Sequence, residues 1–146
     1  MCPATKARTG ITFIDLEFDT GTKGAVLLGD IASSLVSLDD LLRDLASIAA
    51  DPSSVEFRKI EIVAIEMRHP LKITLSLFAI SADAVKAFQE ICRNIIYSRD
   101  RRSRQAALPK GVQALITDKE AQRLYGHIVA LQNAEVPLKR VEVKEI

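Results

Sequence analysis

The feature that most constrains the fold is an apolar residue at every third or fourth position between residues 31 and 48. The series is Ile31, Leu35, Leu38, Leu41, Leu42, Leu45 and Ile48. This spacing lines one face of an α-helix, with Asp30 as a candidate N-cap. The sequence DPSS at 51–54 ends the helix, because proline disfavours helical geometry in the residue before it. The opposite face carries Asp39, Asp40, Arg43 and Asp44, which we expect to meet solvent.

Alternating segments supply the second layer that this helix needs. Apolar and polar residues alternate in GITFIDLEF (10–18) and in LKITLSLF (71–78), as in half-buried strands. The segment VEFRKIEIVAIEM (55–67) also predicts a strand, but its apolar phase slips between Phe57 and Ile60, which indicates a bulge or a strand with both faces partly covered. LKRVEVKEI (138–146) is typical of a terminal edge strand.

The apolar run AVLLGDI at 25–31 has two interpretations. It is either the second strand of a hairpin that follows the loop DTGTKG, or a segment that leads straight into the helix. The sequence does not separate these alternatives.

Two further helices are predicted. Ser81 can cap a helix that ends near Tyr97 and whose inward residues are Val85, Phe88, Cys92 and Ile95. Thr117 and Glu120 form a capping box that opens a third helix. Its inward residues are Ala121, Leu124, Ile128 and Leu131.

These elements predict a two-layer α+β domain with a mostly antiparallel sheet of four or five strands and about three helices on one face. Without the uncertain strand and the third helix, the order reduces to βαββαβ, the ferredoxin-like split motif. We expect a flexible tail at 1–9 and one domain at 10–146, with a basic connector at 98–111. A chain of 146 residues can bury enough surface to fold without a metal or a disulfide.

The tripeptide Asp19-Thr20-Gly21 resembles the catalytic loop sequence of aspartic proteases. Those enzymes need two aspartates that share a proton in an all-β setting, whereas this chain is rich in helix. In addition, the cation of Lys23 would lower a carboxyl pKa that catalysis needs raised. Glycines 21 and 24 are explained by the positive φ angles of a tight loop, so the stretch is predicted to be a turn.

Other candidate catalytic and metal-binding residues are isolated. Cys2 would lie beside a free amine after removal of Met1, but it stands in a polar tail, and Cys92 is predicted to be a core residue. His69 and His127 have no partner at a metal-ligand spacing, and no phosphate-binding glycine motif is present. No metal or cofactor is therefore expected.

The location of the protein is predicted from what the sequence lacks. The chain has two cysteines, Cys2 and Cys92, and nothing in the sequence suggests a disulfide framework, which favours a reducing cytoplasm. Neither a signal peptide nor an apolar run of about 20 residues is present, so no membrane contact is expected.

The remaining feature is a basic segment at 93–110, with six cations and one anion in a chain whose net charge is +1. The cations are Arg93, Arg99, Arg101, Arg102, Arg104 and Lys110. They favour a solvated connector after a helix C-terminus, a contact with nucleic-acid phosphates, or a contact with an acidic partner. The acidic partner could be a second copy, through Asp39, Asp40 and Asp44.

These observations predict a small, non-enzymatic cytoplasmic protein that acts by protein association, as a homodimer or an accessory subunit. The alternative is a nucleic-acid-binding regulator that uses the segment 93–110. A pocket for a small molecule would depend on shape, which the sequence does not reveal.

Overall fold

The architecture comes from a computed structural model that describes residues 11–21, 26–49, 59–67, 70–78, 80–100 and 108–145. Its elements in chain order are β1 (Ile11–Phe18), α1 (Leu28–Ala49), β2 (Lys59–Glu66), β3 (Leu71–Phe78), α2 (Ala82–Asp100), α3 (Lys110–Gln113), α4 (Asp118–Gln132) and β4 (Leu138–Glu145).

The four strands form one sheet in the order β2-β3-β1-β4, and every neighbouring pair is antiparallel. β3 lies between β1 and β2, and β1 lies between β3 and β4, so each helical crossover passes over one strand. Apart from α3 and α4, the element order is the βαββαβ of the split motif. The predicted two-layer α+β class with an antiparallel sheet is confirmed.

The core lies between the helices and one face of the sheet. β1 contributes Ile14, Leu16 and Phe18 to it, and every second residue of β3 from Leu71 to Leu77 is buried there. The helices contribute Leu38, Leu41, Leu42, Leu45, Phe88, Ile91, Cys92, Ile95, Leu124, Ile128 and Leu131. We call this side of the sheet the helix side and the opposite side the open face.

The caps of α2 and α4 agree with the sequence. Ser81 Oγ accepts a hydrogen bond from the Ala84 backbone N at 3.2 Å. Thr117 Oγ1 accepts from the Glu120 N at 3.2 Å, while a carboxylate oxygen of Glu120 accepts from the Thr117 N at 2.9 Å. These bonds satisfy backbone donors that the first helical turn leaves without partners.

The predicted second strand at 25–31 is wrong in its described part. Residues 26 and 27 are irregular and α1 begins at Leu28, so the run leads into the helix, as the alternative interpretation proposed. Asp30 is therefore not the N-cap. Its backbone N already donates to Leu27 O at 3.1 Å, inside the first turn. α2 also extends past Tyr97 to Asp100.

β2 contains a bulge at Val63, which lies after the predicted slip between Phe57 and Ile60. That slip begins outside the described residues and stays a prediction. The pairing with β3 shifts between Ile62 and Ala64, whereas residues 51–58 lie outside the described part of the chain. The alternative of a strand with both faces partly covered is wrong for Lys59–Glu66, because all its residues but Ile60 are exposed. The predicted tail at 1–9 lies outside the described residues, as do residues 101–107 of the basic connector.

Candidate functional site

Among the residues that the structure describes, the largest run of exposed apolar side chains lies on the edge strand β2 and just after it. We define the β2 strip as Ile62, Val63, Ile65 and Met67, whose exposed fractions are 51%, 53%, 55% and 60%. Ile62 pairs across the sheet with Leu75, and Ile65 pairs with Ile73. Those two partners on β3 are only 5% and 2% exposed. On the helix side, burial therefore decreases from β3 to β2, where Ile60 is partly buried against the core and Ile62 and Ile65 are exposed.

The position of the helices explains this decrease. α2 packs against β4, and the three long helices pack against one another. The helix layer thus lies toward the β4 end of the sheet, and the β2 strip is left exposed. The outer edge of β2 is also unpaired by any described strand. An edge strand with exposed apolar side chains is a surface to which another chain can add.

The bulge decides which side chains of β2 share a face. Lys59 and Glu61 pair with Phe78 and Ser76, so they lie on the open face, and Ile60 and Ile62 lie on the helix side. Val63 is the extra residue of the bulge. After it, Ala64 and Glu66 are on the open face again and Ile65 is on the helix side. Without the bulge, Ile65 would have pointed to the open face.

A second surface lies at the other edge of the sheet, between α2 and β4. It is a shallow groove of about 410 Å³ that we call the basic groove. Its lining residues are Arg93, Ile96, Tyr97, Lys139, Arg140, Val141 and Glu142. Arg140 is partly neutralised, because its guanidinium lies 3.3 Å from a Glu142 carboxylate oxygen and 3.9 Å from one of Glu17.

The structure places some of the cations predicted from the basic segment. Arg93 lies on α2 in the basic groove, beside two β4 cations that the sequence interpretation did not select. Lys110 is exposed and begins the short helix α3. Arg99 belongs to the last turn of α2, but the structure does not describe its side chain. Arg101, Arg102 and Arg104 lie outside the described residues. Their predicted contact with a partner stays a prediction.

On the open face, the carboxylate of Asp15 is buried beneath polar side chains. Lys144 Nζ lies 2.8 Å from Asp15 Oδ2, Lys72 Nζ lies 3.7 Å from the same oxygen, and Thr74 Oγ1 donates to Oδ1 at 2.6 Å. Burial by itself favours the neutral carboxyl, but the hydrogen bonds from Lys144 and Thr74 and the two ammonium charges outweigh it and lower the pKa of Asp15. The alternation that predicts β1 as a half-buried strand therefore does not place the Asp15 side chain in solvent.

Asp44 was expected on the solvent side of α1, but it joins α1 to α4. Its Oδ2 lies 2.8 Å from His127 Nε2, and its Oδ1 lies 3.7 Å from an Arg123 guanidinium nitrogen. The sequence analysis did not predict this contact, because it considered partners of His127 only at metal-ligand spacings, and Asp44 lies 83 residues earlier. The pair positions α4 against α1.

The Asp19-Thr20-Gly21 stretch forms the predicted turn. Asp19 Oδ1 accepts a hydrogen bond from Gly21 N at 2.8 Å, and Gly21 has a φ of 65°. Gly24 lies outside the described residues. Cys92 is fully buried, as predicted for a core residue, and burial raises the pKa of its thiol. A protonated buried thiol is a poor nucleophile.

A further groove of about 360 Å³ lies among the helices. It is lined mainly by apolar residues of α1, α2 and the α3 region, among them Leu45, Ala87 and Leu115. In the described ranges, no group of three or more histidine, cysteine or acidic residues could hold a metal ion. Nor does any described helix combine the length and hydropathy needed to cross a bilayer.

Comparisons with known proteins return no relatives: no protein-family model, curated protein or solved structure matches this chain.

Proposed function

We propose that this chain is a non-enzymatic protein that acts by association with a second copy of itself, and that the β2 strip is its contact surface. The observation that carries the proposal is the exposure of Ile62, Val63 and Ile65 on an edge strand, next to a strand whose residues on the helix side are buried. In this proposal the protein works in the cytoplasm, where the buried thiol of Cys92 stays free.

The chemistry of an apolar edge supports the proposal in two ways. Burial of apolar surface contributes about 25 cal/mol per Å², so the strip supplies binding free energy that surface ion pairs, at about 0–1 kcal/mol each, do not. The outer edge of β2, with which no described strand pairs, also offers backbone donors and acceptors to an added strand. Pairing through this edge would satisfy those groups and cover the strip in one step.

The test is the mass of the protein in solution, measured by sedimentation equilibrium over a range of concentrations. The wild type is expected at twice 16.1 kDa. Ile65→Asp places a charge in the proposed contact and is expected to give a monomer. Leu115→Asp is the matched control, because Leu115 is 74% exposed but lies far from β2 in the sequence and next to α3. A wild type that stays monomeric at all concentrations would refute the proposal.

A second candidate function is binding of nucleic acid in the basic groove. It is favoured by the convergence of Arg93, Lys139 and Arg140 beside Tyr97, whose ring could stack on a base. The pairing of Arg140 with Glu142 and Glu17 weakens the positive potential, so this candidate ranks second.

The second candidate predicts binding that falls with salt. With a fluorescent single-stranded RNA, each phosphate neutralised contributes about 0.7 to the slope of log affinity against log salt. Arg93→Glu combined with Lys139→Glu should remove most of the binding, whereas Lys119→Glu, an exposed cation on α4, should preserve it. Equal binding by both variants would exclude the groove.

A further inference from the structure

We propose that two copies pair through antiparallel β2 strands about a twofold axis that passes between residues 62 and 63, with Lys59 of each copy opposite Glu66 of the other. This inference rests on the proposed function and specifies its contact. It would join the two sheets into one continuous sheet, and it closes on itself because the same edge is used by both copies.

The faces of the β2 side chains restrict the possible registers. Residues directly opposite each other in an antiparallel pair lie on the same face of the sheet. A regular strand can pair with its own copy only about an axis through a residue, because residues an odd number of positions apart lie on opposite faces. In β2 the bulge at Val63 resets the alternation. When the axis passes between two residues at the bulge, residues an odd number of positions apart on either side of it lie on the same face and can therefore pair.

With the proposed axis, the two residues of every opposing pair outside the bulge lie on the same face of the sheet. Lys59 and Glu66 are both on the open face, because they pair with Phe78 and Lys72 of β3. Ile60 and Ile65 are both on the helix side, where they would meet across the axis. Glu61 and Ala64 are both on the open face. Ile62 and Val63 meet at the axis itself.

Neighbouring registers are less favourable. An axis through residue 62 would place Ile60, on the helix side, opposite Ala64, on the open face. An axis between residues 63 and 64 keeps the faces matched but places Glu61 opposite Glu66, and twofold symmetry repeats this repulsion. The proposed register replaces these two repulsive pairs with two attractive ones between Lys59 and Glu66. Charge thus selects one register among those that the bulge permits.

The test exchanges the two charges. Lys59→Glu alone and Glu66→Lys alone each create two like-charge pairs in the proposed dimer, and each is expected to weaken self-association about tenfold. A mixture of the two variants restores both attractive pairs, as does the double variant Lys59→Glu/Glu66→Lys. Both should associate about as tightly as the wild type. Sedimentation equilibrium measures the affinities, and native mass spectrometry with one tagged variant identifies the mixed dimer.

Glu61→Lys is the control for the register. In the proposed pairing Glu61 lies opposite Ala64, so the change should alter the affinity by less than about threefold. With the axis between residues 63 and 64, Glu61→Lys would instead strengthen association by turning two repulsive pairs into attractive ones. Circular dichroism of each variant verifies the fold, and recovery in the mixture shows that the single variants were folded.

The possible results separate this inference from the proposed function. Loss of affinity in the single variants with recovery in the mixture would support the register. A wild-type dimer that Ile65→Asp disrupts, but that the charge exchange leaves unchanged, would overturn the register and leave the proposed function in place. A wild type that remains monomeric would overturn both.

Discussion

The two edge strands of the sheet have the same length but differ in how far their apolar side chains are buried. β2 and β4 each have eight residues, and β2 is the more apolar, with the sequence KIEIVAIE against LKRVEVKE. Yet Leu138 and Val141 of β4 are buried under helices, whereas Ile62 and Ile65 of β2 are exposed. Hydropathy alone would have assigned burial the other way round. The difference shows that burial at the edges is decided by where the helices lie.

Chain connectivity explains the difference. α2 follows β3 and returns the chain to β4, so the helix comes to pack against that edge. The insertion of α3 and α4 before β4 adds a third long helix, which packs against α1 and α2. An apolar strand left outside such a layer is typical of an association surface and not of a monomer surface.

The largest expected effect comes from a matched pair of isoleucines that face each other across β2 and β3. Ile73→Ala creates a cavity in the core and should reduce the free energy of unfolding by about 2–5 kcal/mol. Ile65→Ala, at its cross-strand partner, should cost about 1 kcal/mol or less in the monomer, since the side chain is already half in water. Urea denaturation at low protein concentration measures both. Equal losses would show that the β2 strip is covered within the monomer.

A smaller effect is expected on the open face next to β4. Asp15→Asn removes the charge that Lys144 and Lys72 contact, and it should reduce the free energy of unfolding at neutral pH by about 1–3 kcal/mol. The matched control is Glu61→Gln, an exposed carboxylate on the same face of β2. It should change the stability by less than about 0.5 kcal/mol.

The lowered pKa of Asp15 leads us to expect that the free energy of unfolding depends on pH. The pKa of Asp15 is lower in the folded chain than the value of about 3.9 in an unfolded one, so its ionised form stabilises the fold above that value. The stability difference between wild type and Asp15→Asn should therefore shrink as the pH falls below about 4. Urea denaturation at several pH values measures it. A difference that stays constant or grows in acid would contradict the assigned contacts.

The smallest effect concerns the contact that positions α4 against α1. His127→Ala removes the hydrogen bond to Asp44 and should cost about 1 kcal/mol. Because Asp44 and His127 lie on α1 and α4 and not on either edge strand, the variant should keep the self-association of the wild type. A monomeric His127→Ala variant would mean that the helix layer, and not the β2 strip, carries the interface.

Local patterns predicted most of the fold. The capping box at Thr117 and Glu120, the alternation in β3 and the apolar face of α1 each depend on residues close in sequence. The start of α1 was less predictable, because the apolar run at 25–31 suits a strand and a helix equally. Leu27 and Leu28 are exposed at the start of the helix, so these apolar residues do not belong to the buried face whose spacing predicts α1.

The candidate site was harder to predict because it depends on contacts between distant segments. The bulge at Val63 was not predicted, because the slip in apolar phase lies earlier, between Phe57 and Ile60. The exposure of Ile65 depends on the absence of a covering helix in the described part of the chain. The basic groove combines Arg93 with β4 cations that lie more than 40 positions later. The sequence analysis grouped Arg93 with the cations that follow it closely in sequence, whereas in the structure Lys139 and Arg140 line the same groove as Arg93.

The most direct test of the account is amide hydrogen exchange at both sheet edges, measured at protein concentrations below and above the onset of association. Amides of Lys59–Glu66 in β2 are expected to gain protection as the concentration rises, while those of Leu138–Glu145 in β4 keep the same protection. A gain confined to β4, or no gain at either edge in a protein that self-associates, would contradict the assignment of the β2 strip as the contact surface.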